Sequence, residues 1–179
     1  MGSVGNVLVH LRSMGFLLDD DDVRRLVERE RLIERWATDY LARLRHRLIH
    51  HRYRVASVRD WEHMPRLPPN AWWGGDVAGA RLTRHLSPEQ VTIYTRALPD
   101  EWVVRAGLQP DPDGNVEVLA PFWGDALISR WHRDLADLPQ DCVHPLLIYA
   151  DLLANDEERR SETAKRLYDK FLRQLTTPD

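Results

Sequence analysis

Apolar residues recur every three or four positions from Glu28 to about Leu48, where Leu32, Ile33, Trp36, Tyr40, Leu41, Leu44 and Leu48 are separated by Arg, Glu and Asp. That spacing predicts an amphipathic helix laid against a core, since the stripe covers too few heptads for an isolated coiled coil. Ser3 to Met14 repeats the pattern through Val4, Val7, Leu8, Leu11 and Met14, and Gly15 supplies a stop. Phe16-Leu17-Leu18 and Val23 to Val27 flank an Asp19–Asp22 turn and predict a small hairpin. Alternation then predicts a strand beginning near Arg52, and Pro65, Pro68 and Pro69 mark a loop. Trp72-Trp73 lead into Gly74-Gly75, whose glycines permit positive φ or close backbone approach. A helix is predicted from Asp76 through about His85, with the Asp76 carboxylate as a candidate cap. Beyond the Ser87-Pro88-Glu89 turn, strands are predicted at Val91–Thr95 and Val116–Leu119. Between them the pattern gives a short helix over Leu98–Gly107, with Trp102, Val103 and Ala106 inward, and a turn at Pro110–Asn115.

The last third predicts a helical hairpin. Pro145 can open a helix because its missing N–H falls among first-turn donors that have no helical partner. Leu146, Leu147, Tyr149, Ala150, Leu152 and Leu153 make that helix apolar on most sides. After a break at Asn155–Glu158, Ala164, Leu167, Tyr168, Phe171, Leu172 and Leu175 form a single stripe. Two or three strands among about five helices indicate an α+β class, a helix-rich domain with a small sheet. No repeat of 20–50 residues recurs, which excludes a solenoid.

At 179 residues the chain can bury a sizeable core as one compact domain or two small ones, and 43% apolar with 30% charged residues is ordinary for a globular protein. No apolar run reaches the roughly 20 residues needed to span a membrane, and no secretory signal pattern opens the chain. The lone Cys142 excludes an internal disulfide and fits a reducing cytoplasm; it reads either as a small buried residue or as a nucleophilic thiol. A net charge of −3 conceals an uneven distribution: −3 over residues 1–22, +6 over 23–66 and −6 over 67–179. The basic belt suits nucleic acid, an acidic partner, or the chain's own acidic part.

Candidate chemistry is sparse. His50, His51 and His63 lie near Asp60 and Glu62, yet adjacent strand residues face opposite sides, and zinc spacings such as His-Glu-x-x-His are missing. No phosphate-cradling Gly-rich loop ending in Lys-Ser/Thr occurs, and Asp111, Asp113 and Gly114 match a turn better than a calcium loop. No nucleophile elbow places a serine. We therefore expect no metal, no cofactor and no catalytic residue. Seven tryptophans are many for a core of this size, so Trp72-Trp73 read either as an exposed platform or as a packed hinge.

The order of several short motifs resembles the AbiEi antitoxins of type IV toxin–antitoxin systems. These are Leu146 to Leu153 with its Tyr149-Ala150-Asp151 centre, the break with Arg159 or Arg160, and Glu162-Thr163-Ala164. Upstream lie Gly74-Gly75-Asp76-Val77-Ala78, Val91-Thr92-Ile93-Tyr94, and Gly114-Asn115-Val116-Glu117-Val118 followed by Phe122-Trp123. The resemblance implies an α+β antitoxin-like domain over 28–179, preceded by a partial winged-helix segment over 1–27, in which Ser3-Val4-Gly5-Asn6-Val7 would open the recognition helix. The two helices that should brace that helix are missing ahead of Met1, and four aspartates occupy the tip of the wing, both of which weaken DNA binding by this chain alone. The implied function is a non-enzymatic cytoplasmic antitoxin opposing a nucleotidyltransferase toxin, with transcriptional autoregulation through operator DNA, or RNA, as a further role. Candidate DNA-binding residues are Asn6, His10, Arg12, Arg24 and Arg25. Candidate residues for a partner or nucleic-acid surface are Arg43, Arg45, Arg47, Arg52, Arg54, Trp72, Trp73, Gly74, Gly75, Asp76, Tyr149, Asp151, Arg159 and Arg160. Two rival readings stay open: a nucleic-acid-binding regulator without an antitoxin role, and an enzyme built on an unrecognised carboxylate or histidine site.

Overall fold

The computed structural model describes residues 4–20, 23–58, 61, 66–155 and 157–176. Ser3, the Asp21-Asp22 tip, Asp60, Glu62, His63 and Pro65 lie outside the described residues. Helix α1 (Val4–Ser13) ends at Gly15, whose φ of +75° closes the turn, and leads into a hairpin of β1 (Leu17–Asp20) and β2 (Val23–Leu26). The hairpin buries Phe16 and Leu17, but α1 buries none of its residues: Val4 and Val7 are 77% and 54% exposed. The apolar stripe is thus only half used. Leu8, Leu11 and Met14 are partly covered, and the two valines face solvent.

Helix α2 (Arg29–Asp39) runs on through a π-helical segment (Tyr40–Arg45) into a last turn (His46–Leu48), one residue short of the predicted start. A π turn bonds residues about five apart, which swings Arg45 toward the face that Tyr40 already occupies. Strand β3 (Ile49–Arg54) follows at once, three residues earlier than the alternation suggests. The remaining elements are β4 (Trp72–Gly74), α3 (Gly75–Thr83), β5 (Val91–Tyr94), α4 (Asp100–Arg105), β6 (Gln109–Pro110) and β7 (Val116–Leu119). After them come α5 (Asp125–Asp134), α6 (Pro145–Leu152) and α7 (Glu158–Leu167), which continues through a π segment (Tyr168–Leu172) to Thr176.

The larger sheet has the order β4-β5-β7-β3-β6, with β5 and β7 parallel and the other neighbours antiparallel. β5 and β7 are buried along their whole length, as central strands covered on both faces must be. One face carries Trp73, Ile93 and Val118, and meets Trp61, whose ring packs edge-on against Trp73 at 4.9 Å. The other face carries Gly74, Thr92, Tyr94 and Glu117, and receives α2 and α6. Helix α3 packs closely on α6 and α7 at Gly79, where a Cβ would lie 3.2 Å from Leu152 and 3.3 Å from Thr163.

Three elements have no counterpart in the apolar pattern. β4 was legible only as a pair of tryptophans before a double glycine, β6 is two exposed residues long, and α5 buries only Ile128. Short or lightly buried elements leave little periodicity to read.

Candidate functional site

The second sheet face holds a buried polar cluster centred on Asp151, whose side chain is fully enclosed. Its Oδ1 accepts from Arg45 Nε at 2.9 Å, and its Oδ2 accepts from Tyr94 Oη at 2.9 Å and from the Gly75 backbone N–H at 3.3 Å. Tyr40 Oη lies 2.5 Å from Tyr94 Oη and 3.3 Å from Asp151 Oδ1. Arg45 also pairs with Glu117 at 2.8 Å, and Arg52 holds the other Glu117 oxygen at 2.6 Å. One chain of charges therefore joins α6, the π segment of α2, β7 and β3. Burial pushes the Asp151 carboxyl up from its ordinary range while the Arg45 guanidinium pulls it down. Both tyrosine hydroxyls are raised, chiefly by burial and then by Asp151. Withdrawing two carboxylates from water is costly, and the cluster offsets that cost by giving each one charged partners and close hydrogen bonds.

The double glycine is what lets the backbone approach. A Cβ on Gly74 would sit 2.6 Å from the Tyr94 ring and 2.9 Å from Asp151 Oδ2. Gly75 has φ +48°, and a Cβ there would lie 2.6 Å from Thr92 Oγ1. Both features predicted from the sequence, positive φ and close approach, thus occur at adjacent positions.

A second buried pair ties α7 to α3. Arg160 Nη2 donates to Asp76 Oδ2 at 2.9 Å, and both side chains are about 6% exposed. The same oxygen accepts the backbone N–H groups of Glu89 and Gln90 at 3.1 Å each. Asp76 is therefore not the cap expected from the sequence. It sits one residue inside the helix, Gly74 occupies the cap position, and the carboxylate turns to the incoming β5 strand instead.

These contacts correct the candidate surface. Trp73, Gly74, Gly75, Asp76, Asp151 and Arg160 are buried and Arg45 is nearly so, and the charged ones are used on one another. Trp72 is half-buried against Trp123, so the tryptophan pair is a strand and not an exposed platform. Arg43, Arg47, Arg54 and Arg159 are exposed, Arg43 beside Asp39 and Arg54 on Asp111. Tyr149 is half-buried on the Tyr168 ring. Asn6, His10, Arg12, Arg24 and Arg25 are all exposed at the N-terminal end, where Arg12 and Arg24 share Asp19. The cluster also contains residues that the pattern did not single out. Tyr40 reads as core, and Tyr94 and Glu117 sit inside otherwise apolar strands. A lone glutamate in the run Val116-Glu117-Val118-Leu119 was the available signal.

His50 and His51 do approach each other, with ring centroids 4.7 Å apart. The expectation that they diverge fails because the β3 register shifts between Ile49 and His51, a bulge that breaks strict alternation. No group of three or more His, Cys, Asp and Glu is placed to hold a metal among the described residues. Cys142 is buried, and burial pushes its thiol up to about 12. Such a thiol is inert at neutral pH.

His144 caps a helix. Its Nδ1 accepts the Leu146 backbone N–H at 3.1 Å and so caps α6 ahead of Pro145. Burial lowers it from 6.5 to about 4. Because the folded value is depressed, the stabilising contribution is complete above about pH 6.5, and it is lost as pH falls toward about 4, where the unfolded chain binds a proton that the folded chain excludes. We expect His144→Asn, which keeps a capping acceptor but does not titrate, to lose about 2 kcal/mol less stability than the parent between about pH 7.5 and about pH 4.5. Urea denaturation at the two pH values checks this; parallel losses in both proteins refute it.

The fold and the cluster define an α+β scaffold domain in which interior charges fasten helices to one face of a sheet. The profile of the AbiEi antitoxins, described as transcriptional regulators of type IV toxin–antitoxin systems, matches residues 25–173, and the chain belongs to that family. Helix α1 and strand β1 precede the matched residues. Comparison with curated proteins and with solved structures gives no match. No helix among the described residues is long and apolar enough to cross a membrane.

Proposed function

We propose that this chain is the antitoxin of a type IV pair, a cytoplasmic, non-enzymatic protein that opposes a nucleotidyltransferase toxin. The observation that carries the reading is the family match over 25–173, which spans both the Asp151 and the Asp76 clusters. Their burial supports a scaffold role, since the ionisable groups that could serve a reaction are bound to one another. In this reading residues 28–179 form the antitoxin-like domain and residues 1–27 a winged-helix remnant. Antagonism then acts through the exposed positions Arg43, Arg47, Arg54 and Arg159 and the half-buried Tyr149, with direct contact to the toxin not required. This reading expects a nucleotidyltransferase gene beside this one, whose expression should arrest growth and whose co-expression with this chain should restore it. Arrest that co-expression does not relieve would refute the proposal.

A second reading is favoured by one observation: Asn6, His10, Arg12, Arg24 and Arg25 all stand exposed on the N-terminal helix and hairpin. It makes the chain a regulator of its own operator, in keeping with the family's description. Binding to operator DNA should then weaken steeply with salt as phosphate contacts release counterions. A flat salt response would exclude it.

A further inference from the structure

Between α3 and the turn before α6, on the side of the sheet away from the Asp151 cluster, lies a cleft of about 820 Å³. Its inner wall is apolar and aromatic, formed by Trp61, Trp73, Val77 and Leu86. Among the described residues its rim carries three guanidiniums, Arg66, Arg81 and Arg84, against one carboxylate, Asp141. Asp141 is taken by Arg81 at 2.7 Å. Arg66 and Arg84 make no side-chain hydrogen bond or ion pair among the described residues, so the described lining holds surplus positive charge in a chain whose net charge is −3.

Two features show that these groups are held in place. The Arg66 backbone carbonyl accepts the Trp102 indole N–H at 3.1 Å, which fixes the chain at the cleft edge. Arg84 closes α3 in a left-handed conformation (φ +55°), with its backbone N–H bonded to Ala80 O at 2.7 Å. The wall also contains an unmet donor. Trp61 is 3% exposed, and its Nε1 has no hydrogen-bond partner among the described residues, although the neighbouring Trp102 indole is satisfied. A buried donor left without a partner costs roughly 1–3 kcal/mol, and this one belongs to an indole that lines the cleft.

We propose that this cleft binds a mononucleotide. Free guanidiniums match the oxygens of a phosphate, which they can engage through paired N–H groups. The volume lies within the range of small-molecule sites and exceeds what a phosphate alone would fill. An apolar wall of indole, valine and leucine suits a planar base. The Asp151 cluster takes no part, and this inference does not rest on the antitoxin reading.

Calorimetric titration of the full chain with guanosine and adenosine monophosphates, with guanosine, and with inorganic phosphate tests it. At least one mononucleotide should bind, and guanosine and inorganic phosphate should each bind about tenfold or more weaker. Arg66→Gln and Arg84→Gln should each weaken the mononucleotide about tenfold, the size expected for a lost charge-assisted hydrogen bond. Both arginines are exposed, so their variants should retain the parent's melting temperature. Silence of both mononucleotides, equal binding of inorganic phosphate, or binding unchanged in the Arg66→Gln/Arg84→Gln double variant would each overturn the proposal.

Discussion

Replacing Asp151 with Ala is expected to destabilise the protein by about 3–5 kcal/mol, the range for breaking a buried ion pair from one side. The carboxylate takes four donors from three segments: Arg45 and Tyr40 of the π segment, Tyr94 of β5 and the Gly75 backbone. Its loss leaves the Gly75 N–H and a tyrosine hydroxyl unmet in an enclosed space, and leaves Arg45 with Glu117 alone. For a chain of this length a loss of that size lowers Tm by about 10 °C or more. The cause can be isolated by a cycle with Arg45→Met. If the two side chains stabilise the fold through each other, the double variant should be more stable than the sum of the single losses predicts, by about 1 kcal/mol or more. Chemical denaturation of the four proteins supplies the comparison. A single Asp151→Ala loss below about 1 kcal/mol would mean that water, not the protein, solvates this carboxylate.

Gly75→Ala should cost about 2–4 kcal/mol, from two separable sources. The left-handed backbone at φ +48° disfavours any Cβ by roughly 1–2 kcal/mol, and overlap with Thr92 adds an overpacking cost of similar size. Removing the Thr92 hydroxyl should therefore recover part of the loss and no more. Equilibrium unfolding of Gly75→Ala with and without Thr92→Ala reads this directly. Full recovery would place the whole penalty in the side-chain overlap, and none would place it in the backbone. Either result contradicts the mixed origin. The same logic links the two predictions, since displacing the Gly75 N–H also removes a donor from Asp151.

These expectations rest on contacts that the sequence indicated only in part. The helix from Glu28 to Leu48, the Val91 and Val116 strands and the Pro145 helix were legible because each buries a regular stripe or run, or carries a distinctive end. The Gly74-Gly75 pair announced its need for close approach but not what approaches it. The Tyr149-Ala150-Asp151 phrase, read as a candidate surface, turned inward because a helix that is apolar on most sides must be covered on most sides. Arg45 was read as one more member of a basic belt. A π turn, which has no signature in a 3.6-residue pattern, swung it to the face of Tyr40 and into the core.

The sequence by itself determined most of the segments that become helix or strand, where the chain breaks, and membership in a family whose motifs survive in order. Local physics suffices for that, since periodicity, glycine and proline act within a few residues of themselves. Only the tertiary structure decided that Asp151 meets Arg45, Tyr94 and Gly75, that Asp76 meets Arg160, and that Trp61, Arg66 and Arg84 share one cleft. Those partners stand up to 106 positions apart. The free energy of bringing charges together depends on distance and burial in space, and neither is written into spacing along the chain.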